Sequence, residues 1–321
     1  MTTRRSAGAT TATLLLLSTL VGCSSAAPLQ SVAAVTDAPT IATPTPPPAT
    51  PAPTPTPATP TPEPTETVYE TFPRDQFSDP TRVDNPWLSM LPGTQWIWDG
   101  ANGVGNDRAP HRLIVTVTDL TKVIDGVLTQ VAYDQDFVEG ELVEAELAFY
   151  AQADDGSVWY LGEYPEEYED GVFVEAPAWL TGTRGAQAGI MMPAEPRVGM
   201  PSYAEGWGPE VGWNDRGRIF EANSRTCVPT GCHDGVLIVD EYSVDQPDAH
   251  QYKYYARGVG NVRVGWSGAL ETTHEELELV SVRTLSPAEL ADIRKVAFAL
   301  EASAYKRSPE VYGPTSPLTL R

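Results

Sequence analysis

Positive charge is scarce in this chain: 21 lysines and arginines stand against 43 aspartates and glutamates, for a formal net charge of −22. A surface of that sign repels phosphates, which excludes nucleic acid as a partner. Within a Debye length of about 8 Å it also repels anionic lipid heads. Histidine is equally sparse: His111, His233, His250 and His274 are scattered singly, with no i, i+4 pair to seat a metal. Long apolar runs are absent as well, because the stretch from Ala12 to Val21 is roughly half of the ~20 residues a bilayer-spanning helix needs. Three near misses remove further chemistry. Gly265-Trp266-Ser267-Gly268-Ala269 lacks the last glycine of a nucleophile elbow and runs into a strand pattern rather than a helix. Gly258-Val259-Gly260-Asn261-Val262-Arg263 lacks the third glycine and the helix of a dinucleotide site. Asp154-Asp155-Gly156 lacks the alternating acids and closing glutamate of a calcium loop, and reads as a hairpin turn. No catalytic triad, resident metal or cofactor is expected.

What is present begins with an address. Arg4 and Arg5 precede the short apolar stretch, which ends in Leu20-Val21-Gly22-Cys23 and small residues; this is the layout of a secretory signal. The residues expected after a twin-arginine pair are missing, so general secretion is expected. Leu20-Val21-Gly22-Cys23 resembles the lipobox of bacterial lipoproteins. That resemblance implies cleavage of residues 1–22, acylation of the Cys23 thiol, and a lipid anchor on the outer face of the cell membrane. One acyl chain holds a protein to a membrane only marginally, whereas the diacylglyceryl group the family carries would tether it durably. Loss of residues 1–22 removes two arginines and no acids, taking the charge from −22 to −24. Only the anchor then favours the membrane.

A short post-anchor segment, 23–38, leads into a Pro/Thr-rich linker over 39–68 that cannot bury a core and favours extended polyproline geometry. At about 3.1 Å per residue, Pro39 to Pro64 would span on the order of 80 Å. The folded region is expected over 69–306 as one domain. Its dominant pattern is two-residue alternation broken by turn residues. Along Val143-Ala145-Leu147-Phe149 the apolar side chains share one face, while Glu144 and Glu146 point the other way. Val127–Phe137 reads as its partner through a Glu139-Gly140 hairpin, and Ser157–Leu161 as the next strand. Further strands are expected at Gln95–Trp98, His111–Thr118, Gly171–Glu175, Arg218–Ala222, Gly235–Ser243, Gln251–Ala256, Asn261–Val264 and Glu275–Val282. Short connections imply antiparallel pairing. The expected fold class is all-β with one C-terminal α-helix, its antiparallel curved sheet forming a barrel or half-barrel. Ser286-Pro287-Ala288-Glu289 is a capping box that opens a helix over 287–305, whose apolar stripe should bury against the sheet and close a barrel mouth. Residues 307–321 read as a flexible tail.

Cys227 and Cys232 flank a turn, and in an oxidising compartment they should form a disulfide; zinc is disfavoured because Cys232 and His233 are adjacent and no fourth ligand has suitable spacing. Tyr203, Trp207 and Trp213 lie among glycines, where they could form a ligand platform or simply pin a loop to the core. Glu163, Glu166, Glu167, Glu169 and Asp170 read as a solvated acidic run after the Trp159 strand.

Tyr254 to Arg263, together with Val158 to Glu163, is similar to an uncharacterised group of exported bacterial proteins. Their topology resembles, loosely, the half-barrels of lipoprotein carriers and mycobacterial lipid-binding lipoproteins. The resemblance carries no functional residue across, and the long linker departs from a soluble carrier. It implies a non-enzymatic module holding an apolar or amphiphilic small molecule, in keeping with eight tryptophans, several of them in expected strands. Two other readings stay open: a hydrolase of wall glycan using carboxylates such as Glu163 and Glu205 as acid and base, or a structural, protein-contact module. Oligomeric state is left open.

Overall fold

The computed structural model describes residues 69–321; the signal, Cys23 and the proline-rich linker lie outside the described residues. Sixteen strands follow in chain order: β1 (Thr94–Asn102), β2 (Ala109–Ile124), β3 (Val127–Val138), β4 (Glu141–Gln152), β5 (Val158–Glu169), β6 (Val172–Phe173), β7 (Trp179–Leu180) and β8 (Gln187–Met192). Then come β9 (Tyr203–Ala204), β10 (Gly206–Trp207), β11 (Asp215–Val228), β12 (Gly231–Ser243), β13 (His250–Ala256), β14 (Gly260–Ser267) and β15 (Glu276–Thr284). Two helices, α1 (Pro287–Arg307) and α2 (Pro309–Tyr312), precede β16 (Thr319–Leu320). All pairings are antiparallel, as the short connections require. The β3–β4 hairpin turns on Glu139 (φ 54°) and Gly140 (φ 88°), two left-handed residues that suit a two-residue turn.

The strand order β10-β8-β5-β4-β3-β2-β1-β15-β14-β13-β12-β11-β9 forms one sheet that curls into a nearly closed barrel. Its two ends are consecutive in the chain. Ala204 in β9 pairs with Arg216 in β11, and Gly206 in β10 pairs with Ala188 in β8. The segment Tyr203–Trp207 is therefore a seam that fastens one edge of the sheet to the other and leaves little open edge. It lies so close to β8 that a Cβ on Gly189 would sit 2.2 Å from the Glu205 carbonyl carbon. Gly189→Ala should push the seam off β8, at a cost of about 1–3 kcal/mol. In urea titrations with hydrogen exchange the variant should unfold earlier, and the amides of 203–207 should exchange faster. Unchanged exchange there would show that the contact is not tight.

The wall separates two apolar cores. The inner one gathers Trp96, Trp98, Val117, Ala148, Leu237 and Leu279 with Val83 and Met90 from the segment before β1. The outer one lies between the wall and the C-terminal elements, with Leu147, Phe149 and Tyr164 against Ala297, Leu300 and Ala304 of α1. Burial of a leucine such as Leu300 contributes roughly 1.5–3 kcal/mol. The helix starts as its capping box dictates, with the Ser286 hydroxyl accepting from the Glu289 amide and the Glu289 carboxylate accepting from the Ser286 amide. The helix does not close a mouth, however. Its stripe faces the outer surface of β2 and β4, where Leu120, Ile124, Leu147 and Phe149 join the outer core.

The expected flexible tail is instead docked. Tyr312 is fully buried, Leu318 is buried, and β16 pairs with β2. What holds it is a buried cation: Lys122, with no exposed side-chain area, pairs with Glu301 at 2.7 Å and donates to the Ser316 carbonyl at 2.7 Å. Tyr305 and Tyr312 present ring faces to the same ammonium. The second Glu301 oxygen accepts from the Leu318 amide at 3.0 Å. A charge embedded in the outer core thus fixes the last turn of chain.

Candidate functional site

Alternation along the β3–β4–β5 meander sends apolar side chains to the outer core and acids inward. Asp134 stands directly opposite Glu146, and Asp136 opposite Glu144, which in turn faces Glu167. Like charges in register on one face repel. Strict alternation would send Glu163 outward with Trp159 and Leu161. A register break between Ala148 and Tyr150 instead sets Gly162 as one extra residue, so that Tyr160 and Glu163 share the inner face. The acidic run is consequently solvated only at its end, where Glu169 and Asp170 are exposed. It continues β5, with Glu163 (9% exposed) facing in, and Glu166 (3% exposed) facing out to Tyr164, Tyr168 and Arg307.

The inner acids line a cavity of about 490 Å³. Asp134, Glu144, Glu146, Glu163, Glu167 and Asp215 contribute carboxyls, Tyr150, Tyr160 and Trp213 aromatic rings, and Lys253 an amine. Asp134 and Lys253 stand on β3 and β13, remote in the strand order, so the cavity is the hollow of the barrel itself. The same two residues, with Tyr150 and Met191, also line an adjoining chamber of about 230 Å³ whose other walls include Leu88, Met90, Trp96 and Trp98. One space is polar and acidic; its neighbour is mostly apolar, with Gln251, Asn261 and Glu275 also in its wall.

Protons are part of this site. The Tyr160 hydroxyl lies 3.0 Å from Glu146 Oε1 and 2.5 Å from Glu163 Oε2, yet a phenol has one hydrogen. One of the two carboxyls must therefore carry a proton and donate it to the phenolic oxygen. Glu163 already accepts from the Trp179 indole at 3.0 Å, which suits a carboxylate. Glu146 is then the acid, and burial followed by the charges of Glu163, Asp134 and Glu144 holds its pKa well above the ordinary value. Burial, with Glu144 and Glu163 next, raises Asp134 to about 8. Glu144 is raised to about 7 by burial and then by Glu163. Glu163 also rises to about 7 through burial, against the hydrogen bonds from Tyr160 and Trp179.

Little cationic charge answers these acids. Lys253 is committed to Glu241 at 2.5 Å, and that attraction overrides the effect of burial to keep the amine protonated. His111, 2.6 Å from Asp136 and 3.2 Å from Glu275, has its pKa raised by both despite burial. Among the described residues no group of three or more His, Cys, Asp or Glu is arranged to hold a metal ion.

The residues singled out in the sequence are dispersed. Tyr203 belongs to the seam and is buried in the inner core, its ring packed over Gly217. Trp207 pairs with Gln187 in β10 and is half-buried. Trp213 reaches the hollow, stacked on Trp179 at 5.8 Å and edge-on to Tyr160 at 6.0 Å. Glu205 is buried at the seam and is not part of the cavity lining, so the structure does not pair it with Glu163; Glu146 takes that place. Cys227 and Cys232 are disulfide-bonded across the tip of the β11–β12 hairpin. Cys23 lies outside the described residues. Sequence reasoning passed over Asp134, Glu146, Tyr150, Tyr160 and Lys253. The turn at Glu139-Gly140 by itself puts Asp134 opposite Ala145 and Asp136 opposite Val143; a register shift between Asp136 and Phe137, which the sequence does not mark, brings Glu146 and Glu144 opposite them.

No family model matches the chain, and no curated protein matches it. Among solved structures, a candidate exported protein with a YmcC-like fold from Bacteroides fragilis is similar at 10% identity and a TM-score of 0.33, covering 62% of this chain and 99% of that one. A candidate lipoprotein from Parabacteroides distasonis is similar at 11% identity, with the same TM-score and coverage. Likeness at this level carries no argument about function.

Proposed function

We propose that this chain is an envelope lipoprotein, lipid-anchored through Cys23 on the extracytoplasmic face of the cell membrane, whose barrel is a non-enzymatic binding module for a small amphiphile. The leader residues support the address. The binding reading rests on one observation: an acidic, aromatic hollow that adjoins an apolar chamber, so that a molecule with a polar end and an apolar body finds a matching wall for each.

Among the described residues, 69–321 build both cores, and this is the portion to test. Purified without detergent after secretion, it should release an amphiphile into organic solvent in near-stoichiometric amount. Emptied, it should enhance the fluorescence of the neutral apolar probe N-phenyl-1-naphthylamine. A blank extract together with no probe uptake would rule the reading out.

A second reading, hydrolysis of wall glycan, is favoured by the Glu146–Glu163 pair, since contact with one phenol places the two within the spacing used by glycosidases. The same contacts weigh against it. Glu163 has both oxygens engaged, one by Tyr160 and the other by Trp179, whereas a glycosidase needs both carboxyls turned to the substrate.

A further inference from the structure

We propose that the polar end of the ligand is an organic cation, an amine or quaternary ammonium group, seated between the inner carboxyls and the faces of Tyr150, Tyr160 and Trp213. This inference rests on the amphiphile reading above and names the chemistry of its head group.

Four observations carry it. First, the cross-strand pairs Asp134–Glu146 and Asp136–Glu144 place acids in register on the inner face, where bound protons relieve the repulsion and a cation can take their place. Second, the amine that lines the hollow, Lys253, is already engaged by Glu241. Third, an acceptor is left over: Asp134 Oδ1 is enclosed without a hydrogen-bond partner at the junction of the two cavities. A buried acceptor without a partner costs free energy, which a donor-rich cation recovers. Fourth, the rings are grouped as a cation requires. Tyr150 and Tyr160 stack at 4.9 Å, and Trp213 stands 6.0 Å from Tyr160, so aromatic rings line the same hollow as the carboxyls.

The alternatives fit less well. An anionic head would enter a space with six carboxyls and one amine. A neutral hydroxyl would satisfy Asp134 and leave the repulsion along the meander in place.

The test titrates residues 69–321, loaded with N-phenyl-1-naphthylamine, with three competitors of equal chain length below their micellar concentrations: decyltrimethylammonium, decanol and decyl sulfate. At mildly alkaline pH the cation should displace the probe at least about tenfold more tightly than decanol. Decyl sulfate should be the weakest. Glu146→Gln combined with Glu163→Gln should abolish the preference. Should that double variant fail to fold, Asp134→Asn carries the same expectation. Equal displacement by all three would overturn the cation inference and leave amphiphile binding standing, whereas no displacement by any would remove both. A preference that survives Asp134→Asn and the double variant would equally overturn the assignment.

Discussion

Thermal stability of the ligand-free barrel should fall, not rise, as pH increases from about 5.5 to 8.5, with a decrease in Tm on the order of 10 °C. The sign follows from linkage. Asp134, Glu144 and Glu163 bind protons more tightly folded than unfolded, with folded pKa values of about 8, 7 and 7 against ordinary carboxyl values near 4. Their contribution is complete below the unfolded pKa and is lost as pH rises through the folded one. His111 acts in the same direction, since its folded pKa is also raised. Groups shifted the other way, such as Asp99 beside Arg112 and Glu289 in the helix cap, lose their contribution only in more acidic solution. Calorimetry or circular dichroism across this interval gives the measurement. Asp134→Asn and Glu163→Gln should flatten the profile and raise Tm at its alkaline end. A wild-type Tm that climbed through neutrality would contradict the protonated hollow.

Glu301→Ala should be among the most damaging single substitutions, costing about 3–5 kcal/mol. It leaves the Lys122 ammonium embedded in the outer core with no counter-charge, and it removes the acceptor of the Leu318 amide. Loss of that amide contact frees the docked C-terminal segment. Limited proteolysis should therefore cut beyond Ser308 in the variant and not in the wild type. Lys122→Met combined with Glu301→Leu should recover most of the stability, because the penalty belongs to the orphaned charge. If Glu301→Ala melts within a degree or two of wild type, the pair contributes nothing measurable.

The strand pattern was legible because alternation and turn chemistry are local. The Glu139-Gly140 hairpin, the Asp154 turn and the Ser286 cap lie where local rules put them. Which side of the wall is inside was not legible. Leu147 and Phe149 read as core-facing, as they are, but their core is the outer one beneath α1, and it is Glu144 and Glu146 that face the barrel axis. Periodicity tells two faces apart without saying which is concave. The fate of Glu163 was hidden for a related reason, since a single-residue bulge leaves no mark in composition. Tyr312 and Leu318 were hidden too. An apolar residue near a chain end looks the same whether it is docked or loose, and the determinant, Lys122, is nearly two hundred positions away in the chain.

Gly162 also makes the protein unusually sensitive to chain length at one point. Excising that residue would remove the bulge and leave Glu163 facing in, whereas inserting one residue after it would shift the alternation through the rest of β5, rotating Glu163, Pro165 and Glu167 to the helix side and driving Tyr164 and Tyr168 toward the axis. Carboxylates would then press on an oily interface while phenols crowded the lumen. A gain of three nucleotides there would turn this stretch of wall inside out, though hardly any composition had changed.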